Sequence, residues 1–152
     1  MDNANFLAWL ILIGTIALIG IGTMIYAYKG QGSVSVLFDE PLSLPSSLPD
    51  SDQGTEAAVQ FQEGYNAYQD RQYRKAIDYF TQALEQEASL AQAYHNRGLA
   101  YANLLQDDDS VVNLLNASEL YAQQDDQEGL RLLKQHLLAI KARKLAREHT
   151  EK

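Results

Sequence analysis

The chain has 152 residues, a formal net charge of −8 and 46% hydrophobic residues, enough for one domain of ordinary size once an apolar N-terminal stretch and a basic tail are set aside. It has no cysteine, which excludes disulfide staples, thiolate metal sites and cysteine nucleophiles and leaves the redox compartment open. Between Glu56 and Glu128 acids outnumber the bases, which are Arg71, Arg74, Lys75 and Arg97, so nucleic-acid binding, which needs a basic surface against phosphates, is opposed.

Residues 5–28 carry no formal charge. As a helix at ~1.5 Å per residue they span about 36 Å, enough for a hydrocarbon core of ~30 Å. The spacing predicts a transmembrane anchor over 1–29, with Trp9 at one interface and Tyr26, Tyr28 and Lys29 at the other. A cleaved signal peptide is the competing reading. It lacks a basic residue before the apolar run and an A-x-A site after it, and the run is longer than a signal's usual ~7–15 residues. Lys29 lies on the C-terminal side of the run and Asp2 on the other, which favours placing the repeats on the cytoplasmic or stromal side.

Residues 30–54 hold all three prolines, Pro41, Pro45 and Pro49, among Gly, Ser and Asp, with no periodic apolar face. This predicts a flexible tether, stiffened toward extended conformations by its prolines. Val34, Val36, Leu37 and Phe38 are more apolar than a spacer needs, and a second reading lays them back on the repeats or on a partner.

Residues 57–90 and 91–124 are two copies of one 34-residue pattern, with Gly64 over Gly98, Ala76 over Ser110, Phe80 over Leu114, Ala83 over Ala117 and Ala88 over Ala122. A fixed period of this length marks stacked helical hairpins, neither of which buries its apolar face alone. Thr55 is the expected N-cap. Helices are expected near 56–69, 73–87, 91–105 and 109–123, with Asp107, Asp108 and Asp109 capping the last of these rather than binding calcium, since the EF-hand spacing and its glycine are missing. A long helix from about Asp126 to Arg147 carries Leu130, Leu133, Leu137 and Ile140 on one stripe. It closes the second hairpin and projects beyond Ile140. Its bases, Arg131, Lys134, Lys141, Arg143, Lys144 and Arg147, form either a solvated face or a contact surface for an acidic partner or lipid headgroups.

Chemistry is hard to place on this chain. His95, His136 and His149 have no H-E-x-x-H setting and no carboxylate at ligand spacing. No P-loop or G-x-S-x-G occurs, and no general acid/base pair stands out. The expectation is no enzyme, no cofactor and no metal.

The first copy's Gly64, Tyr73, Ala76, Phe80 and Ala83 and the second copy's Tyr94, Gly98, Tyr101 and Ala117 resemble the tetratricopeptide repeat, with Gln60 and Ser110 as departures. The resemblance covers 57–124 and implies a short α-helical superhelix of two repeats; with the segments read above, the expected fold is all-α, with an N-terminal transmembrane helix, a tether over 30–54, two repeats over 55–124, and a C-terminal capping helix with a basic tail over 125–152. It further implies a protein-binding groove lined by Phe61, Tyr65, Tyr68 and Gln69 from the first copy and Gln92, His95, Leu99 and Asn103 from the second, together with Ala58 and Ala102. The competing reading makes Phe61, Tyr65 and Tyr68 core residues under the tether or the last helix. The basic residues with which chaperone-binding members hold a terminal carboxylate are absent from these positions.

Anchor, tether, repeats and closing helix together look like a small tetratricopeptide family of cyanobacteria and plastids that assists photosystem I assembly at the thylakoid membrane. That resemblance implies a non-enzymatic role in which the groove holds a subunit of a membrane complex. A membrane-tethered scaffold for an envelope or secretion assembly, an adaptor for soluble proteins and an accessory subunit of an enzyme remain the alternatives.

Overall fold

The computed structural model describes residues 36–45 and 51–150, and the described part is all-helical. Its five helices are α1 (Asp52–Gln69), α2 (Tyr73–Gln86), α3 (Ala91–Asn103), α4 (Asp107–Gln123) and α5 (Gln127–Thr150). The anchor expected over 1–29 lies outside the described residues. Among the described residues, no helix is long and apolar enough to cross a membrane.

Consecutive helices pack against each other, and α1 also touches α3, as α3 touches α5. The result is two layers, α1, α3 and α5 in one and α2 and α4 in the other. The 34-residue repeat explains the pairing inside each hairpin. Gly64 of α1 faces the Phe80 ring of α2, where an added Cβ would sit 2.7 Å from Phe80 Cε1. The equivalent Gly98 of α3 faces Leu114 of α4 at 3.1 Å. Glycine is needed at Gly64, where a side chain would collide with the facing ring, and at Gly98 the approach is tight enough that Leu114 would have to give way.

Sequence dictates these helices through spacing and ends. In α2 the buried residues Tyr73, Ala76, Phe80, Ala83 and Leu84 fall at helical intervals and make one apolar stripe. Phe80 meets Phe61 edge to face at 5.4 Å, a favoured aromatic geometry, and both are fully buried. Three helices end in the same way. Arg71, Leu105 and Asp125 take positive φ (59°, 63° and 56°). The next amide in each case then reaches back, Gln72 N–H to Ala67 O, Gln106 N–H to Tyr101 O and Asp126 N–H to Tyr121 O, at 2.8 to 3.0 Å. This is the Schellman closure, built without glycine at its left-handed position.

The structure shifts four of the expected local features. Ser51, not Thr55, caps α1: its backbone is extended and its Oγ accepts from Gly54 N–H at 3.0 Å, while Thr55 is already in the first turn. The expected tether therefore ends by 51. Gln106, not an aspartate, is the N-cap of α4 and makes no side-chain cap; Asp107, Asp108 and Asp109 fill its first turn, where negative charge suits the helix dipole. Finally, α5 does not project bare beyond Ile140. Arg143 Nη2 donates to Asp107 Oδ1, Arg147 reaches Asp107 Oδ2 at 3.7 Å and Lys144 reaches Asp108 at 3.3 Å, so opposite charge holds the end of α5 against the start of α4.

Candidate functional site

The α1–α3–α5 layer presents a face along which residues 36–45 lie. The stretch carries no helix or strand, so its amides and carbonyls need partners from outside, and side chains of the face supply them. Asn103, at the end of α3, does most of this. Its Oδ1 accepts from Leu37 N–H and Phe38 N–H, both at 3.0 Å, and its Nδ2 donates to Phe38 O at 2.7 Å and to Tyr68 Oη at 2.8 Å. Both acceptor sites and both donor hydrogens of the amide are used. Tyr68 Oη in turn donates to Phe38 O at 2.8 Å. Burial pushes the Tyr68 hydroxyl far above its ordinary range, and the charge interaction with Tyr73 adds to this, so Tyr68 remains a donor at any physiological pH.

Two helical turns before Asn103, Asn96 repeats the arrangement on a second residue of the stretch. Its Oδ1 accepts from Leu42 N–H at 2.7 Å and its Nδ2 donates to Leu42 O at 2.8 Å. Asparagines seven apart share one helix face, so the two amides hold a non-helical chain at two points, Phe38 and Leu42. Six hydrogen bonds thus run from three side chains to the backbone of the stretch. Each contributes about 1 kcal/mol net, while an unpaired buried amide costs more.

Side-chain contacts add to these. Phe38 is 8% exposed and its ring tilts onto His136 of α5, with centroids 4.6 Å apart. His136 Nδ1 lies 2.8 Å from His95 Nε2, and His95 Nδ1 lies 3.2 Å from Tyr121 Oη. With both rings neutral, each contact is a single hydrogen bond whose direction is set by the tautomer of His95. Burial, reinforced by His136, holds His95 down at about 3, and burial lowers His136 as well. The relay therefore joins α4, α3, α5 and the docked stretch in its uncharged form. Among the described residues no third His, Cys, Asp or Glu completes a metal set with this pair.

Comparison with protein-family models, with curated proteins and with solved structures finds no match. The site therefore has to be read from its own geometry.

The expected groove residues fall in different environments. Asn103 and Tyr68 bond directly to the stretch. Gln92 lines an open cavity of about 530 Å³ beside residues 40–45, together with Tyr121, Leu132 and His136. Phe61 and Leu99 are fully buried. Phe61 is committed to Phe80, because Gly64 lets the two helices close over that ring. His95 is also fully buried, and acts through His136 rather than by presenting a surface. Tyr65 is half-buried and Gln69 exposed; Gln69 Nε2 donates to Tyr65 Oη at 3.2 Å. Of the small positions, Ala58 is half-buried and Ala102 buried.

Sequence reasoning does not reach Asn96 or His136. Asn96 has a readable signal: a second asparagine two turns before Asn103 on the same helix face. His136 has none, because its partner lies 41 residues away in sequence.

Proposed function

We propose that this chain is a non-enzymatic protein-interaction factor of tetratricopeptide type whose α1–α3–α5 face binds an extended polypeptide segment. In this reading residues 5–28 anchor it in a bilayer. Its fullest form is assistance in assembling or stabilising photosystem I at the thylakoid membrane, with the face turned to the cytoplasm or stroma. One observation carries the reading: Asn96 and Asn103 each pair with both the N–H and the C=O of a single residue of a segment that is neither helix nor strand. Groups arranged to satisfy peptide backbone suit a peptide ligand and give no foothold to a small-molecule reaction. The sequence resemblance supplies the rest, and an anchored face gains because binding to a partner in the same membrane is effectively intramolecular.

The test is affinity purification of tagged full-length chain in mild detergent, comparing wild type with Asn96→Ala/Asn103→Ala. Subunits of a membrane complex are expected with wild type and are depleted with the double variant. Equal recovery removes the groove from the function. Recovery of envelope or secretion subunits in place of photosystem I subunits keeps the groove and replaces the partner with that of a general membrane-tethered scaffold.

A further inference from the structure

The groove already holds a peptide, and that peptide is the chain's own. We propose that residues 36–45 are an internal ligand, and that the external partner is an extended segment presenting an aromatic residue and, four residues on, a leucine-like side chain. The proposal rests on the groove reading above and says which ligand the groove selects and what stands in its way.

The resident stretch defines the chemistry of its competitor. The polar contacts go to its backbone, at Leu37, Phe38 and Leu42, so they constrain conformation and forbid proline at those positions while tolerating most side chains. Selection falls to the side chains turned onto the face, above all Phe38 and Leu42 at the two clamped residues, with Pro41 buried between them. Phe38 is buried and its ring meets His136, while Leu42 is half-buried and packed against the core. The intervening acids contribute little. Asp39 and Glu40 are exposed, and the ion pair of Asp39 with Arg71 is a 3.6 Å contact between side chains 72% and 68% exposed.

The resident also underfills its site. The open cavity of about 530 Å³ runs beside residues 40–45 and is floored by Gln92, Tyr121, Leu132 and His136. A partner with bulkier groups at that end buries more apolar area than the resident does. It needs the advantage, because the resident is tethered. A covalently linked ligand acts at an effective concentration on the order of millimolar, so a free peptide of equal quality meets a groove that is open only a small fraction of the time.

The probe is a fluorescently labelled decapeptide with the sequence of residues 36–45, titrated by anisotropy against full-length chain in detergent micelles. Wild type is expected to bind it at least tenfold more weakly than Phe38→Ala/Leu42→Ala, in which the resident is weakened. Adding Asn103→Ala to that variant abolishes binding, and a decapeptide with alanine at the Phe38 and Leu42 positions fails to compete. If the double variant does not fold by circular dichroism, replacement of residues 36–45 by a Gly/Ser stretch of equal length takes its place. Equal affinity for wild type and released protein, no binding to either, or equal competition by the alanine decapeptide overturns the proposal. Where that happens while partner recovery still depends on Asn96 and Asn103, the groove reading stands and only the internal ligand falls. Where recovery is also indifferent to both asparagines, both readings fall.

Discussion

The two hairpins share a repeat but not a chemistry. Every buried polar or charged side chain among the described residues, tyrosines aside, lies in the second: His95, Asn96, Asn103, Asp107, Ser110 and Asn113. The first is closed by apolar and aromatic contacts, Phe61 on Phe80 and Tyr68 on Tyr73, the latter at 5.1 Å. Buried polar groups are costly unless paired, and for four of these the partners come from elsewhere: the docked stretch for Asn96 and Asn103, and α5 for His95 and Asp107, whereas Asn113 pairs inside the hairpin with Arg97 and Asp109 O. The first hairpin is thus a packing unit, and the second is the hub to which the other parts attach.

The largest effect expected from breaking this contrast is in the first hairpin. Phe80→Ala removes a fully buried ring and leaves a cavity under Gly64, and it should cost about 3–5 kcal/mol in urea denaturation. Its repeat counterpart Leu114→Ala should cost less, and the reverse order would show that the second hairpin carries the main apolar core. Next comes Asn103→Ala, expected to cost about 2–3 kcal/mol because it strands the amides of residues 37 and 38. It should also expose residues 36–45 to limited proteolysis. Gln69→Ala, at the equivalent point of the first hairpin, should change stability by less than about 0.5 kcal/mol.

The third expectation concerns pH. The folded pKa of His95 lies below its unfolded value, so the unfolded chain takes up the proton first. The stabilising contribution is fully present above about pH 6.5 and is lost progressively as pH falls toward 3. Between pH 7.5 and 5.5 His95 alone should remove about 1.4 kcal/mol, and His136 acts in the same direction. A urea midpoint flat from 7.5 to 5.5 would mean that the histidine pair is not buried in neutral form. The last expectation is a gain: Leu105→Gly relieves a left-handed, exposed leucine and should stabilise by about 0.5–1 kcal/mol in the same assay.

The helices are legible because each depends on residues close in sequence. The stripe of Tyr73, Ala76, Phe80 and Ala83 and the recurrence of Gly64 at Gly98 are periodic signals, and they locate both hairpins. Within the site, Tyr68 and Asn103 are accessible from their repeat positions. Phe61 is misplaced toward the groove because a repeat position does not say which way two rings turn, and it is packing against Phe80 that settles this.

Residues 36–45 show where local reading stops. Their prolines and lack of periodicity describe a tether, and nothing in the stretch itself reports that Asn96, Asn103 and Tyr68 supply partners for its amides. Composition and period are sufficient for an all-α chain of paired helices, because helical hydrogen bonds close within four residues and the apolar stripe repeats with them. The docked stretch, the His95–His136 contact and the Arg143–Asp107 pair join residues 30 to 66 apart, and they exist only once the helices have stacked. Such contacts are set by the three-dimensional arrangement of side chains, which no local period in the chain encodes.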